Sequence, residues 1–146
     1  MTPDQIEAAA AALLMDEATR RQIGLLSLTH PGMTLDDAYA VQAELVARKL
    51  AAGRRRIGWK IGLTSRAMQE QLKIDTPDSG VLLDDMLFAD GATVPKGHFI
   101  QPRVEAEIAF LMARDLSGAD VTREAVIAAT AHVAPALEIL DTRILR

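Results

Sequence analysis

The run Arg103-Val104-Glu105-Ala106-Glu107-Ile108-Ala109-Phe110-Leu111 places two carboxylates two residues apart in an otherwise apolar segment. Alternate side chains of an extended strand share a face. Glu105 and Glu107 therefore align with Ala109, while Val104, Ala106, Ile108 and Phe110 take the other face. Neighbouring like charges repel, and more strongly as water is excluded. A hard divalent cation, which prefers carboxylate oxygens, removes that cost; a solvated strand face tolerates it without one. Glu138 stands alone in Pro135-Ala136-Leu137-Glu138-Ile139-Leu140-Asp141, where a carboxylate is costly unless paired or metal-bound. It is the natural third ligand. Three carboxylates, completed by waters or substrate oxygens, suit Mg²⁺ or Mn²⁺ better than zinc.

Lys60 lies between Trp59 and Ile61 in a glycine-flanked apolar run, Ile57 to Leu63. Lysine is rarely buried without a partner. Burial or a nearby metal would suit it to proton transfer; the competing reading is an edge-strand lysine that blocks aggregation. Asp84 and Asp85, inside Leu82-Leu83-Asp84-Asp85-Met86, point to opposite faces if extended, so that one serves a site and the other solvent. Alternatively they mark a bend between two short strands. His30, His98 and His132 sit in connectors or polar contexts and are not expected as ligands, and neither Ser65 nor Ser79 has a nucleophile-elbow setting.

The elements that must position these groups follow from local signals. Thr2-Pro3-Asp4-Gln5 starts a helix with a capping box, and the Ala-rich segment runs to about Gln22. Ser27 to Met33 is a connector. A second helix starts at Thr34, carries Ala38, Val41, Leu45 and Val46 at helical spacing, and stops at Gly53. These helices read as scaffold or oligomer contacts and carry no assigned chemistry. After Arg56 the pattern turns to short strands, with glycines where other backbone approaches closely. Thr64 or Ser65 caps a short helix to Leu72, and Thr76 to Gly80 is a loop by composition. Asp90-Gly91 is a turn, a helix spans about Thr122 to Ala131, and an apolar strand follows from Val133 to Leu140. The expectation is an α+β fold: a helical segment over 1–55, then a β-rich catalytic part over 56–146, as one structural unit.

Whole-chain properties narrow the function classes. At 146 residues there is room for one domain with a sizeable core. The net charge of −4, with a single basic cluster at Arg54-Arg55-Arg56 and few aromatics, disfavours nucleic acid. No run is long enough to span a bilayer and no basic n-region precedes the early apolar stretch, so neither membrane nor export is expected. The absence of cysteine excludes a thiol nucleophile and fits a cytoplasmic setting. No glycine-rich nucleotide motif is present.

Five ordered motifs carry a resemblance. They are Lys60-Ile61-Gly62-Leu63-Thr64-Ser65, Pro77-Asp78-Ser79-Gly80, Leu82-Leu83-Asp84-Asp85-Met86, Gln101 to Phe110, and Pro135-Ala136-Leu137-Glu138. Together with Asp36-Ala38-Tyr39-Val41-Gln42, the set resembles the 2-keto-4-pentenoate hydratases of the fumarylacetoacetate hydrolase superfamily, whose close kin are the 4-oxalocrotonate decarboxylases. The resemblance implies a mixed β-sheet or β-roll of that superfamily's type, incomplete at the C-terminus because family members continue well beyond a position like Arg146. It implies Mg²⁺ (or Mn²⁺) on Glu105, Glu107 and Glu138, proton transfer by Lys60, and Asp84 or Asp85 near the substrate. Thr64, Ser65 and Arg66 are the implied substrate contacts, with Arg66 a candidate for the far carboxylate of a dioate.

The implied reaction is hydration of a 2-hydroxy-dienoate or 2-keto-enoate to a 4-hydroxy-2-keto acid through a Mg-chelated enolate, in aromatic-compound catabolism. Two alternatives stay open: a decarboxylase using the same metal site, and a non-catalytic half-domain. The implied partners are a small 2-keto acid, further copies of the chain, since exposed strand edges favour self-association, and other enzymes of the same pathway.

Overall fold

The computed structural model describes residues 1–145, with Leu72 represented by its backbone; Arg146, the expected end of the β-rich part, lies outside the described residues. Helix α1 (Pro3–Thr19) opens on the anticipated capping box, with Thr2 and Gln5 satisfying each other's backbone. It ends three residues before Gln22, because Arg20 adopts a left-handed conformation and returns its N–H to the last turn. The expected connector holds a single helical turn, α2 (Leu26–Thr29). Helix α3 (Leu35–Ala51) is capped by Thr34, with Asp37 completing a second capping box.

Helices α1 and α3 pack through Ala9, Ala10 and Val41, surrounded by Ile6, Leu13, Met33 and Leu45. Alanine at the contact lets the two backbones approach closely. Lys49, 9 % exposed, pairs with Glu17 across this interface at 2.6 Å. The second oxygen of Glu17 reaches Arg143 at 2.9 Å, and the backbones of Ile23 and Arg143 are hydrogen-bonded. The helical layer is thereby tied to the segment that follows the last strand.

Strand β1 (Arg56–Gly62) pairs antiparallel with β2 (Asp78–Leu83), and helix α4 (Arg66–Leu72) lies in their connection. The segment read as a loop from Thr76 to Gly80 is mostly strand, since Asp78, Ser79 and Gly80 belong to β2. Pairing with β1 overrides their turn-like composition. After Leu83 the chain enters a 3₁₀ turn at Asp84–Met86, so the two aspartates are not extended. The long strands β3 (Pro102–Met112) and β4 (Thr130–Asp141) form a second antiparallel pair, with helix α5 (Arg123–Ala129) leading into β4. The architecture is α+β. Among the described residues the named strands form two antiparallel two-stranded sheets rather than one mixed sheet, and the parallel element is an isolated bridge, Ile23 to Ile144. No described helix is long and apolar enough to cross a membrane.

Candidate metal and proton-transfer site

The β3–β4 register sets Glu105 directly opposite Glu138, and Glu107 opposite Ala136. Residues facing each other across a ladder, and residues two apart on one strand, share a face. The three glutamates therefore converge, and one carboxylate oxygen from each lies within 4.8 Å of the other two. Like charges directly opposite destabilise a sheet. The apolar face of β3, bearing Val104, Ile108 and Phe110, points the other way, as the alternation predicts.

Lys60 reaches this cluster from the other hairpin. Its Nζ stands 3.7 Å from Glu138 Oε1 and 3.5 Å from Asp78 Oδ1. The side chains of Lys60 and Glu138 are 25 % and 22 % exposed, which removes Lys60 from the role of a solvated edge-strand lysine. Its stem crosses Gly80, where a Cβ would stand 3.2 Å from Lys60 Cγ. At Gly62 a Cβ would collide with Asp78 Oδ1 and stand 2.9 Å from Lys60 Nζ. Gly58 and Gly62 of β1 were expected to admit backbone; at Gly62, and at Gly80 on the partner strand, the space takes the side chains of the ion pair instead. Asp78 is fixed from β1 by the Gly62 N–H, which donates to its Oδ1 at 3.0 Å.

One ammonium thus faces four carboxylates. At Glu138 burial pushes the carboxyl above its usual range; Lys60 opposes that shift, and Glu105, Glu107 and Asp78 add to it. The charge set is net negative, and the three glutamates offer carboxylate oxygens with no nitrogen or sulfur among them, the preference of a hard divalent ion.

The remaining expected site residues lie elsewhere on the hairpin. Asp84 accepts from the Arg55 N–H at 3.1 Å and from its Nε at 3.2 Å, and the first of these bonds chiefly holds its carboxyl below the usual range. Asp85 pairs with Arg54 at 3.1 Å. Both cluster at the end of the hairpin where Arg56 meets Leu83, whereas Lys60 meets Gly80 four residues along β1, about 13 Å away in an extended strand. The aspartate beside Lys60 is Asp78. In the sequence Asp78 stands within the Pro77-Asp78-Ser79-Gly80 motif without an assigned role, and its signal is an acidic residue immediately before a small Ser-Gly pair. Thr64, Ser65 and Arg66 follow Leu63, whose φ of 55° turns the chain sharply at the end of β1 and whose carbonyl accepts from Gln69 at 2.6 Å. Ser65 occupies the N-cap of α4 without a side-chain cap bond, and Arg66 forms no ion pair among the described residues.

No protein-family model matches the chain. It is 51 % identical over 127 residues to the 2-oxo-hept-4-ene-1,7-dioate hydratase of Escherichia coli, covering 87 % of this chain and 48 % of that protein. It is 46 % identical over 144 residues to the 2-keto-4-pentenoate hydratase of Paraburkholderia xenovorans (strain LB400), covering 99 % of this chain and 54 % of that protein. Among solved structures, the 4-oxalocrotonate decarboxylase from Pseudomonas putida G7, complexed with magnesium and adipate, superimposes with a TM-score of 0.93 at 37 % identity, over 99 % of this chain and 55 % of that one. The chain spans about half the length of the curated relatives it matches. Over that span it is similar to the 2-keto-4-pentenoate and 2-oxo-hept-4-ene-1,7-dioate hydratases.

Proposed function

We propose that this chain carries the cation-binding and proton-transfer groups of a hydro-lyase that adds water to a 2-hydroxy-dienoate or its 2-keto-enoate tautomer, giving a 4-hydroxy-2-keto acid in aromatic-compound breakdown. The observation that carries the reading is the convergence of Lys60 and Asp78 with Glu105, Glu107 and Glu138. The three glutamates would hold Mg²⁺ or Mn²⁺, which when bound supplies a Lewis acid for enolate chemistry. Lys60 Nζ is the group placed to give a proton to the far carbon of the dienol, yielding a conjugated ketone. Asp78 fixes that ammonium and is the carboxylate nearest to it for taking a proton from the attacking water. Asp84 and Asp85 are assigned to holding the hairpin end against Arg55 and Arg54 rather than to the proton steps. Thr64, Ser65 and Arg66 are assigned to the substrate, Arg66 serving the far carboxylate when that substrate is a dioate.

The proposed fold is the fumarylacetoacetate hydrolase type, with 1–55 as helical scaffold and 56–146 as part of the β-rich catalytic unit. The proposed setting is a cytoplasmic homo-oligomer working beside other enzymes of the same pathway. A second reading, decarboxylation with the same residues, is favoured by the similarity to the 4-oxalocrotonate decarboxylase. The test follows dienol absorbance for the pentadienoate and the heptadienedioate, with and without Mg²⁺, while measuring carbon dioxide. Mg²⁺-dependent loss of absorbance without carbon dioxide is expected. Carbon dioxide release would transfer the assignment to the decarboxylase, and a folded, cation-binding chain without turnover would make it a non-catalytic half-domain.

A further inference from the structure

Helix α3 was expected to provide scaffold or oligomer contacts, yet two of its side chains grip one residue of β2. The Ser79 N–H donates to Tyr39 Oη at 3.1 Å, and the Ser79 carbonyl accepts from Gln42 Nε2, also at 3.1 Å. Tyr39 and Gln42 are three residues apart and so lie on one face of the helix. Ser79 pairs with Ile61 in the hairpin, and its N–H and carbonyl point away from β1, along the open edge of a two-stranded sheet. An edge residue of that kind otherwise depends on water and frays readily. Here both of its backbone groups are held by a helix that is itself fixed by the Val41 core contact and by the Thr34–Asp37 capping box.

Ser79 itself does no chemistry, but both of its neighbours touch the site. Asp78 carries the carboxylate that meets Lys60 Nζ, and Gly80 is the floor beneath the Lys60 stem. We propose that Tyr39 and Gln42 are positioning residues, clamping Ser79 so that Asp78 and Gly80 hold the Lys60 ammonium in place. The inference rests on the proton-transfer reading of Lys60 given above. A displacement of Ser79 moves both contacts of Lys60 on this hairpin at once, whereas the glutamates on β3 and β4 are held by a separate sheet. The clamp therefore acts directly on proton transfer and reaches the cation ligands only through the 3.7 Å Lys60–Glu138 contact.

The experiment uses Tyr39→Phe, which removes only the hydroxyl, and Gln42→Met, which keeps the size and removes the donor. Amide hydrogen exchange is read without substrate at Ser79 and at Gly62, whose N–H reports the position of Asp78 across the hairpin. Each variant should speed both amides by about tenfold, as expected for loss of one ordinary hydrogen bond. Mn²⁺ affinity and melting temperature should stay close to wild type, and kcat should fall with KM unchanged. Faster exchange at Ser79 with Gly62 unaffected would overturn the clamp, because Asp78 would then be held without it. Parallel losses of Mn²⁺ affinity and melting temperature would also overturn it, reducing both residues to general packing. A wild-type chain that turns over no dienoate fails the hydratase reading instead, and the exchange measurement distinguishes that failure from failure of the clamp.

Discussion

At Glu138 desolvation outweighs the attraction of Lys60, and the carboxyl titrates above its ordinary value of 4.5. For an acid, a raised native value means that the folded state binds more protons than the unfolded one, so stability falls as pH rises. The cost is absent below 4.5, develops as pH climbs through the native value, and persists above it. A divalent cation removes it by neutralising the carboxylates, and protons compete for the same oxygens. The cation-free chain should therefore melt at lower temperature as pH rises out of the acid range, added Mg²⁺ should restore the loss, and Glu138→Gln should flatten the profile. The same variant should weaken Mn²⁺ binding by at least about tenfold, the low end of what loss of even an outer partner costs a metal site. Calorimetric titration checks this, and an unchanged Mn²⁺ affinity would remove Glu138 from the ligand set. The glutamates were legible because period-two alternation alone sorts Glu105 and Glu107 to one face. Asp78 was not, because its role depends on pairing with Gly62, sixteen residues away, through a register that no local pattern specifies.

Among the elements, the helix starts were the most readable features, since the caps at Thr2, Thr34 and Thr122 are chemistry between residues three apart. The hairpins were less so. Which strand pairs with which is a long-range choice, and β2 takes in Asp78, Ser79 and Gly80 against their turn-like composition. Likewise, the left-handed turn at Leu63 has no glycine to announce it; it is held by the Gln69 side chain from α4. Glycine matters at the two positions where the hairpin lets a side chain through. Gly62→Ala directs a methyl at the ends of Asp78 and Lys60, which are flexible enough to move while the backbone stays. Its stability cost should stay within about 1 kcal/mol, near the ordinary range for a substitution outside the core. Turnover should fall far more, because the ion pair must separate. Gly80→Ala meets only the Lys60 stem, which has to shift by a few tenths of an ångström, and should be the milder lesion. Steady-state kinetics and thermal melts of the two variants decide the order; equal activity in Gly62→Ala and wild type would mean that the Lys60–Asp78 contact is dispensable.

The accessible surface of the whole molecule is 11,044 Å². A compact folded monomer of 15.8 kDa exposes about 7,300 Å². Part of the excess has a location. On the face of β3 and β4 opposite the glutamates, Val104, Ile108 and Phe110 stand beside Val133 and Leu137, each more than half exposed. Contiguous apolar surface of this kind marks an interaction face, and both sheets also present open strand edges. The alternation of β3 predicted an apolar face from sequence; that it lies bare is a property of the assembled chain, because α1 and α3 pack on each other rather than on this face. The chain alone should therefore associate as concentration rises and should bind an apolar fluorescent dye. Replacing Phe110 and Leu137 by lysine should shift sedimentation toward the monomer and reduce dye binding, while the glutamate face retains Mn²⁺. A wild-type chain that stays monomeric across the accessible concentration range and binds no dye would mean that this face is covered in solution by a rearrangement of the chain itself. In that case the distances between Lys60 and the glutamates would have to be measured again in the rearranged state.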